Sequence, residues 1–157
     1  MVLLSRELAA QPYPFTVGIH ANRLDLGAAA TGAGISLQVS RFYFDISSNF
    51  ARGEGPNKQR STHETYILEK LRAGLVNVGY VIPVKRFYLI PKVGVGWTFD
   101  IWQTPDPKPS FYLYNEKNIL NAGLTAGYRL TDNLGIQVNG GRFERFSLGL
   151  TWYLGDF

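Results

Sequence analysis

The chain has 157 residues, a formal net charge of +4 and no cysteine, which bounds it to one domain and excludes a disulfide framework or a thiolate metal site. Its charged fraction of 18% lies below the roughly 25% of ordinary soluble domains, and no apolar run approaches the ~18 residues of a membrane helix, so any crossing must use strands. The cations Arg41, Arg52, Lys58, Arg60, Lys70, Arg72, Lys85 and Arg86 are scattered along the chain and not gathered in a stripe, so nucleic acid is not an expected partner.

Residues 1–12 read as an N-terminal extension. Met1 to Gln11 lacks a basic n-region and a full apolar core, so it is not an intact signal peptide. It reads as beginning at an added methionine with any export signal removed, or as a short amphipathic segment with Leu3, Leu4 and Leu8 on one side and Arg6 and Glu7 on the other. From residue 13 to 157 a single β domain is expected, with strands near 13–23, 31–39, 42–51, 66–82, 86–102, 117–130, 134–142 and 145–155. Val39-Ser-Arg-Phe-Tyr and Val84-Lys-Arg-Phe-Tyr repeat one pattern, and Asp132-Asn133 supplies a third turn signal. Tight turns near 40, 84 and 132 alternate with long connections near 24–30, 52–65 and 103–116, the last broken by Pro105, Pro107 and Pro109. Residues 141–144 form one short connection at the long end.

The clearest strand pair runs from Val78 to Phe99. Phe87, Leu89, Pro91, Val93, Val95, Trp97 and Phe99 make one face, and Tyr88, Ile90, Lys92, Gly94, Gly96, Thr98 and Asp100 the other. A soluble sandwich would carry Lys, Glu and Thr on its second face. Glycine and a few polar groups instead suit the interior of a narrow closed barrel whose outside meets lipid. The same alternation holds in seven strands, and the fourth fits poorly because Leu71, Ala73 and Leu75 share a side with Asn77 and Gly79, which calls for a bulge or a protruding upper end. The lipid-facing set is then Phe15, Phe42, Phe44, Phe87, Leu89, Val93, Trp97, Leu124, Ile136, Leu148 and Trp152. The inner set includes His20, Asn22, Ser36, Gln38, Asp45, Ser47, Lys92, Asp100, Asn121, Thr125, Arg129, Gln137, Asn139, Thr151 and Tyr153. Charges inside so narrow a barrel must be paired, so Asp45 and Asp100 are expected to neutralise Lys92 and Arg129, with His20 and Gln137 in the same polar network.

These features resemble the small eight-stranded outer-membrane barrels of Gram-negative bacteria, the class of outer membrane protein X and the membrane domain of outer membrane protein A. The Gly-x-Gly, Asn-x-Gly and Pro-x-x-Arg-Phe-Tyr pieces are similar to the outer-membrane β-barrel domains of Bacteroidota. The resemblance implies an all-β, antiparallel, up-and-down transmembrane barrel in the cell outer membrane, with short periplasmic turns and longer extracellular loops. It implies that Leu148 to Phe157, with Trp152, Tyr153 and Phe157, is the signal read by the barrel assembly machinery, although Phe157 falls on the Tyr153 side of the alternation.

Function is expected to lie in the loops. Arg52, Lys58, Arg60 and His63 could meet the phosphates or acidic sugars of lipopolysaccharide. Phe111, Tyr112 and Tyr114, framed by prolines, form a contact site or a strand continued above the membrane. The expected role is non-enzymatic: a structural, adhesive or accessory subunit of a larger envelope complex, with outer-membrane lipid as solvent and with no cofactor or metal. The competing readings are a lipid A-modifying enzyme built on His20 (with Ser36 or Ser47) or His63, a narrow pore, and a soluble lipid-binding barrel. Neither histidine has a recognisable catalytic spacing, and Gly94-Val-Gly96 lies within a strand without the helix that would present amides to a phosphate.

Overall fold

The computed structural model describes residues 15–25, 29–51, 67–103 and 111–154. The strand segments are β1 (Thr16–Asp25), β2 (Ala29–Val39), β3 (Phe42–Ser48), β4 (Ile67–Tyr80), β5 (Ile82–Val84), β6 (Phe87–Gln103), β7 (Phe111–Arg129), β8 (Leu134–Gly141) and β9 (Glu144–Tyr153). All pairings are antiparallel. β4 and β5 both lie against β6 and are one strand interrupted at Val81, and β9 returns to pair with β1. The sheet is therefore a closed eight-stranded antiparallel barrel, which leaves no edge along its wall.

Local chemistry explains the turns. Ser40 and Lys85 take positive φ (55° and 61°) in the two tight turns after β2 and β5, and the Gln38 side chain donates to the Ser40 carbonyl (2.9 Å) to close the first. In the third, the Thr131 hydroxyl accepts the amides of Asn133 (3.3 Å) and Leu134 (3.1 Å), a task the sequence reading gave to Asp132 and Asn133. β3 stops at Ser48, short of the expected residue 51. Phe50 turns to φ 51° while the Ser48 hydroxyl accepts its amide and donates to the Ala73 carbonyl.

The barrel is inverted relative to a soluble protein. Its outside carries Ile19, Ile35, Phe42, Phe44, Phe87, Val93, Leu120, Leu148 and many other large apolar side chains, 40–72% exposed, while Asn77, Lys92, Asn121, Gln137, Asn139 and Glu144 are buried inside. Contiguous apolar surface on a soluble monomer rarely exceeds a few hundred Å², and this belt runs all the way round. Lipid is the solvent that such a surface requires. At the tight-turn end an aromatic girdle forms from cross-strand pairs. The rings of Phe42 and Tyr80 meet edge-on at 6.4 Å, and those of Phe87 and Tyr128 lie 4.6 Å apart.

The fourth strand has both a bulge and a protruding upper end, the two features its sequence called for as alternatives. Ala73, Leu75, Asn77 and Gly79 all point inward in regular alternation, and the first two are apolar because they line an apolar layer of the lumen. The register shift lies in the upper end of the strand, between Leu68 and Lys70.

The two sides of the barrel differ in height. β6 and β7 pair continuously up to Gln103–Phe111, and β4 reaches Gln103 through Ile67. The β8–β9 hairpin turns at residues 142–143, and the uppermost β7–β8 pair is Gly123–Gly141. A three-stranded sheet of β4, β6 and β7 therefore rises above the rest, and β7 begins at Phe111 where the sequence suggested 117. The rising part of β7 has no strand on its β8 side among the described residues.

Candidate functional site: a sealed lumen below a protruding sheet

Inward-facing residues make three layers. At the tight-turn end Tyr43, Val81, Tyr88, Ile90 and Tyr153 pack into an apolar and aromatic floor. At the other end Leu24, Ala73, Leu75 and Phe143 form a cap, with Ile119 against it. Phe143 comes from the short β8–β9 turn, yet its side chain is 1% exposed because the turn folds the ring over the lumen and against Gly96, where a Cβ would lie 2.8 Å from it.

Between cap and floor lies a polar layer centred on Lys92. Its ammonium donates to Asp45 Oδ2 (3.1 Å) and Glu144 Oε2 (2.6 Å), and all three side chains are fully buried. The other Asp45 oxygen accepts Asn77 Nδ2 (2.9 Å), Asn77 Oδ1 accepts Asn121 Nδ2 (2.8 Å), and Asn121 Oδ1 accepts the Phe143 amide (2.9 Å). These bonds run from Lys92 through β3, β4 and β7 to Phe143, whose chain neighbour Glu144 binds Lys92. The circuit locks the short hairpin onto the facing wall of the barrel, and bonds in such a low-dielectric ring reinforce one another. Nearer the floor, Gln137 donates to Ser36 and accepts from Thr151, each at 3.4 Å, Thr16 donates to Gln38, and Asn139 donates to Ser147.

Two inner-set residues sit elsewhere. Arg129 is at the end of β7, where its guanidinium donates to the carbonyls of Thr131 (3.2 Å) and Asp132 (2.6 Å) and stacks 4.8 Å from the Tyr153 ring centroid. It holds the third turn and takes no part in neutralising Asp45. Asp100 lies half-buried in the rising part of β6, and the acids on Lys92 are Asp45 and Glu144. Glu144 was missed because the sequence placed it in the short connection 141–144 outside any strand, and its one signal is that it immediately precedes the alternating run of the last strand.

His20 is 3% exposed, with Nε2 3.9 Å from Glu144 Oε1. Gly34 makes room for it, since a Cβ there would meet both His20 Nε2 and the Ser47 side chain. Glu144 thus approaches Nε2, whereas a serine relay needs the acid on Nδ1, and among the described residues neither His20 nitrogen nor the Ser47 hydroxyl has a hydrogen-bond partner. Ser36 is occupied by Gln137. His63, Arg52, Lys58 and Arg60 fall outside the described residues, as do residues 1–12 and Phe157. Of Phe111, Tyr112 and Tyr114 the backbone is described, and it belongs to β7. On the outer face, Phe42, Phe44, Phe87, Leu89, Val93, Leu124, Leu148 and Trp152 are exposed, and Phe15, Trp97 and Ile136 are partly so. Trp97 lies across Gly74 on that face. Tyr153 faces inward at 8% exposure.

Cap, ion cluster and floor obstruct the axis in series. Planar-bilayer recordings are expected to show no steady conductance, and Phe143→Ala is expected to stay silent because the floor of Tyr43, Tyr88 and Tyr153 is untouched. Open-channel steps from the unmodified protein would contradict the sealed lumen.

The fold and this lumen define a transmembrane β-barrel. No protein-family model matches the sequence, and neither does any curated protein. Among solved structures the chain is similar to Ail, the attachment invasion locus protein of Yersinia pestis, at 12% identity and TM-score 0.47 over 88% of this chain and 91% of that one. It is similar to Neisserial surface protein A at 12% identity and TM-score 0.41, over 89% and 95%. Ail in complex with the heparin analogue sucrose octasulfate gives 9% identity and TM-score 0.42, over 88% and 92%. At such values the barrel assignment rests on the closed ladder of this chain itself.

Proposed function

We propose that this chain is an integral barrel of a Gram-negative outer membrane that works without catalysis, as an adhesive or accessory subunit, by holding out a rigid recognition sheet. The observation that carries this reading is the difference in height between the two sides of the barrel. β6 and β7 stay paired to Gln103–Phe111, well above the Gly123–Gly141 level at which the neighbouring hairpin ends. A strand that rises without a neighbour presents backbone donors and acceptors to another chain, and the sealed lumen beneath gives the platform a stiff base. The long-connection end faces outward in this reading, and Arg52, Lys58 and Arg60 in the second connection meet lipopolysaccharide phosphates. The last strand, through Trp152, Tyr153 and Phe157, guides insertion by the barrel assembly machinery. The finer kinship with Bacteroidota barrels and with outer membrane proteins X and A belongs to this same proposal.

The test is to shorten the β6–β7 hairpin to the height of the β8–β9 turn and express both forms on the cell surface. The trimmed form should insert and keep its heat-dependent gel mobility while surface adherence and co-purification of envelope partners fall to background. Unchanged adherence and co-purification would overturn the recognition role, and a chain monodisperse in water without detergent would overturn the membrane placement.

A further inference from the structure

The repeated Val-x-Arg-Phe-Tyr sequence builds the same unit twice at the tight-turn end. Val39 pairs with Phe42 and Val84 with Phe87, so each turn has two residues, the first at positive φ (Ser40 55°, Lys85 61°) and the second an exposed arginine, Arg41 or Arg86. Each phenylalanine pairs with a tyrosine of the next strand, Phe42 with Tyr80 and Phe87 with Tyr128, and the rings meet on the outer face. The amide that follows each tyrosine donates to the arginine carbonyl, Val81 to Arg41 and Arg129 to Arg86, both at 2.8 Å. The Arg41 guanidinium also donates to the Tyr80 hydroxyl (3.0 Å), which holds it at the edge of the girdle. The third turn lacks the motif and carries Asp132, 3.9 Å from Arg129. Among the described residues of the three turns Asp132 is the only carboxylate, against Arg41, Lys85, Arg86 and Arg129.

We propose that each of these two arginine turns is a binding site for one anionic phospholipid, with its phosphate on Arg41 in the first and on Arg86 with Lys85 in the second, and its acyl chain beside the Phe–Tyr pair. Depth and charge together choose the occupant. Amphipathic rings at strand ends mark the headgroup level of a bilayer, and each arginine stands one residue beyond that level, where lipid phosphates lie. A guanidinium engages a phosphate through two parallel bonds and has more donors than the one Arg41 gives to Tyr80. A zwitterionic lipid brings its own cation to its phosphate, whereas the surplus of cations over carboxylate in these turns favours a headgroup of net negative charge. A soluble acidic partner would meet the cations alone, since the rings beside them are turned to the membrane. The sites rest on the barrel spanning a membrane with its tight turns toward a phospholipid leaflet, and they are independent of what the protruding sheet meets.

The test is native mass spectrometry of the detergent-purified full chain given equal amounts of phosphatidylglycerol and phosphatidylethanolamine with matched acyl chains. Two phosphatidylglycerols should be retained per barrel, with about fivefold preference or more. R41Q should leave one, K85Q with R86Q should leave the other, and the three changes together should bring the preference near unity. R142Q, which removes an exposed cation at the opposite end of the barrel, should change neither count nor preference, and excess glycerol phosphate should not displace the lipid. Gel mobility before and after heating reports folding of each variant, and the preference is read from R41Q and R86Q singly if the combined variants do not fold. Unaltered preference in the arginine variants, an equal loss in R142Q, or displacement by glycerol phosphate would each overturn the sites. A barrel that needs detergent yet shows no preference would fail this proposal alone, and a parent chain monodisperse in water would fail the membrane reading beneath it. Loss of adherence on hairpin trimming with lipid preference intact would separate this proposal from the recognition role.

Discussion

Replacing Lys92 by methionine is expected to cost the barrel about 3–5 kcal/mol, because breaking a buried ion cluster from one side strands the charges left behind. Lys92 sits between Asp45 and Glu144 with all three side chains fully buried, so its loss leaves two carboxylates facing each other in a low-dielectric lumen. The acid variants behave differently. Asp45→Asn keeps an oxygen for Asn77 and leaves a one-to-one pair of Lys92 with Glu144, and Glu144→Gln leaves Lys92 with Asp45. Each should cost about 1–2 kcal/mol less than Lys92→Met, in line with the lower penalty of an intact pair. Lys92→Met combined with Asp45→Asn and Glu144→Gln should recover much of the lost stability, since no uncompensated charge then remains. Equilibrium urea unfolding from phospholipid vesicles, followed by tryptophan fluorescence, gives the order directly. A Lys92→Met barrel as stable as the parent would show that the cluster contributes nothing to folding.

The same cluster shows how far the sequence could be read. Period-two alternation fixes which side of each strand faces lipid, since one residue of slippage would send Phe87, Leu89 and Val93 into the lumen and Lys92 into the membrane. The tight turns were legible from a repeated Val-x-Arg-Phe-Tyr pattern, in which the residue two before the phenylalanine adopts positive φ. What could not be read is distance across the lumen. Asp45, Lys92 and Asp100 are equivalent as inward polar positions, and only closure of the barrel sets Asp45 on β3 and Glu144 on β9 within reach of Lys92. Phe143 and Glu144 were obscure for a further reason. A two-residue turn is ordinarily exposed, and here Arg142 is exposed while Phe143 is buried, its amide accepted by Asn121 of the adjacent strand β7. The inward Leu24, Leu75 and Tyr43 break a polar-inside rule that holds for wide barrels. Here the ends of the lumen are plugs, and a plug is apolar. Phe111 to Tyr114 follow three prolines and fell in the 103–116 connection, with a contact site or a strand continued above the membrane as their two readings, and their backbone takes the second form, paired from Gln103–Phe111 to Asp100–Tyr114.

The inward glycines carry the second large expectation. In strands glycine is usually less stable than alanine by about 0.5–1 kcal/mol, so a generic Gly→Ala change should help. Gly94 should reverse that sign. It pairs with Asn77, and a Cβ there would collide with the Val76 carbonyl oxygen and with Asn77 Oδ1. The carbonyl belongs to the ladder, and Asn77 is the link between Asp45 and Asn121, so neither can give way without breaking bonds. Gly94→Ala is therefore expected to destabilise by about 3 kcal/mol or more, the upper end of overpacking. Gly127→Ala should be milder, about 1–2 kcal/mol, because the obstacle is the far end of the Tyr88 side chain, which can swing at the expense of its contact with Thr151. Gly140 serves as an outer-face control, since it pairs with the lipid-facing Leu124: the nearest atom to an added Cβ is the Arg145 carbonyl oxygen at 3.7 Å, an ordinary contact, and Gly140→Ala should be neutral or stabilise by about 0.5 kcal/mol. Urea unfolding of the three variants under one set of conditions would test the ranking. If all three shifted alike, the glycines would serve backbone freedom in general, and space in the lumen would have no part in their placement.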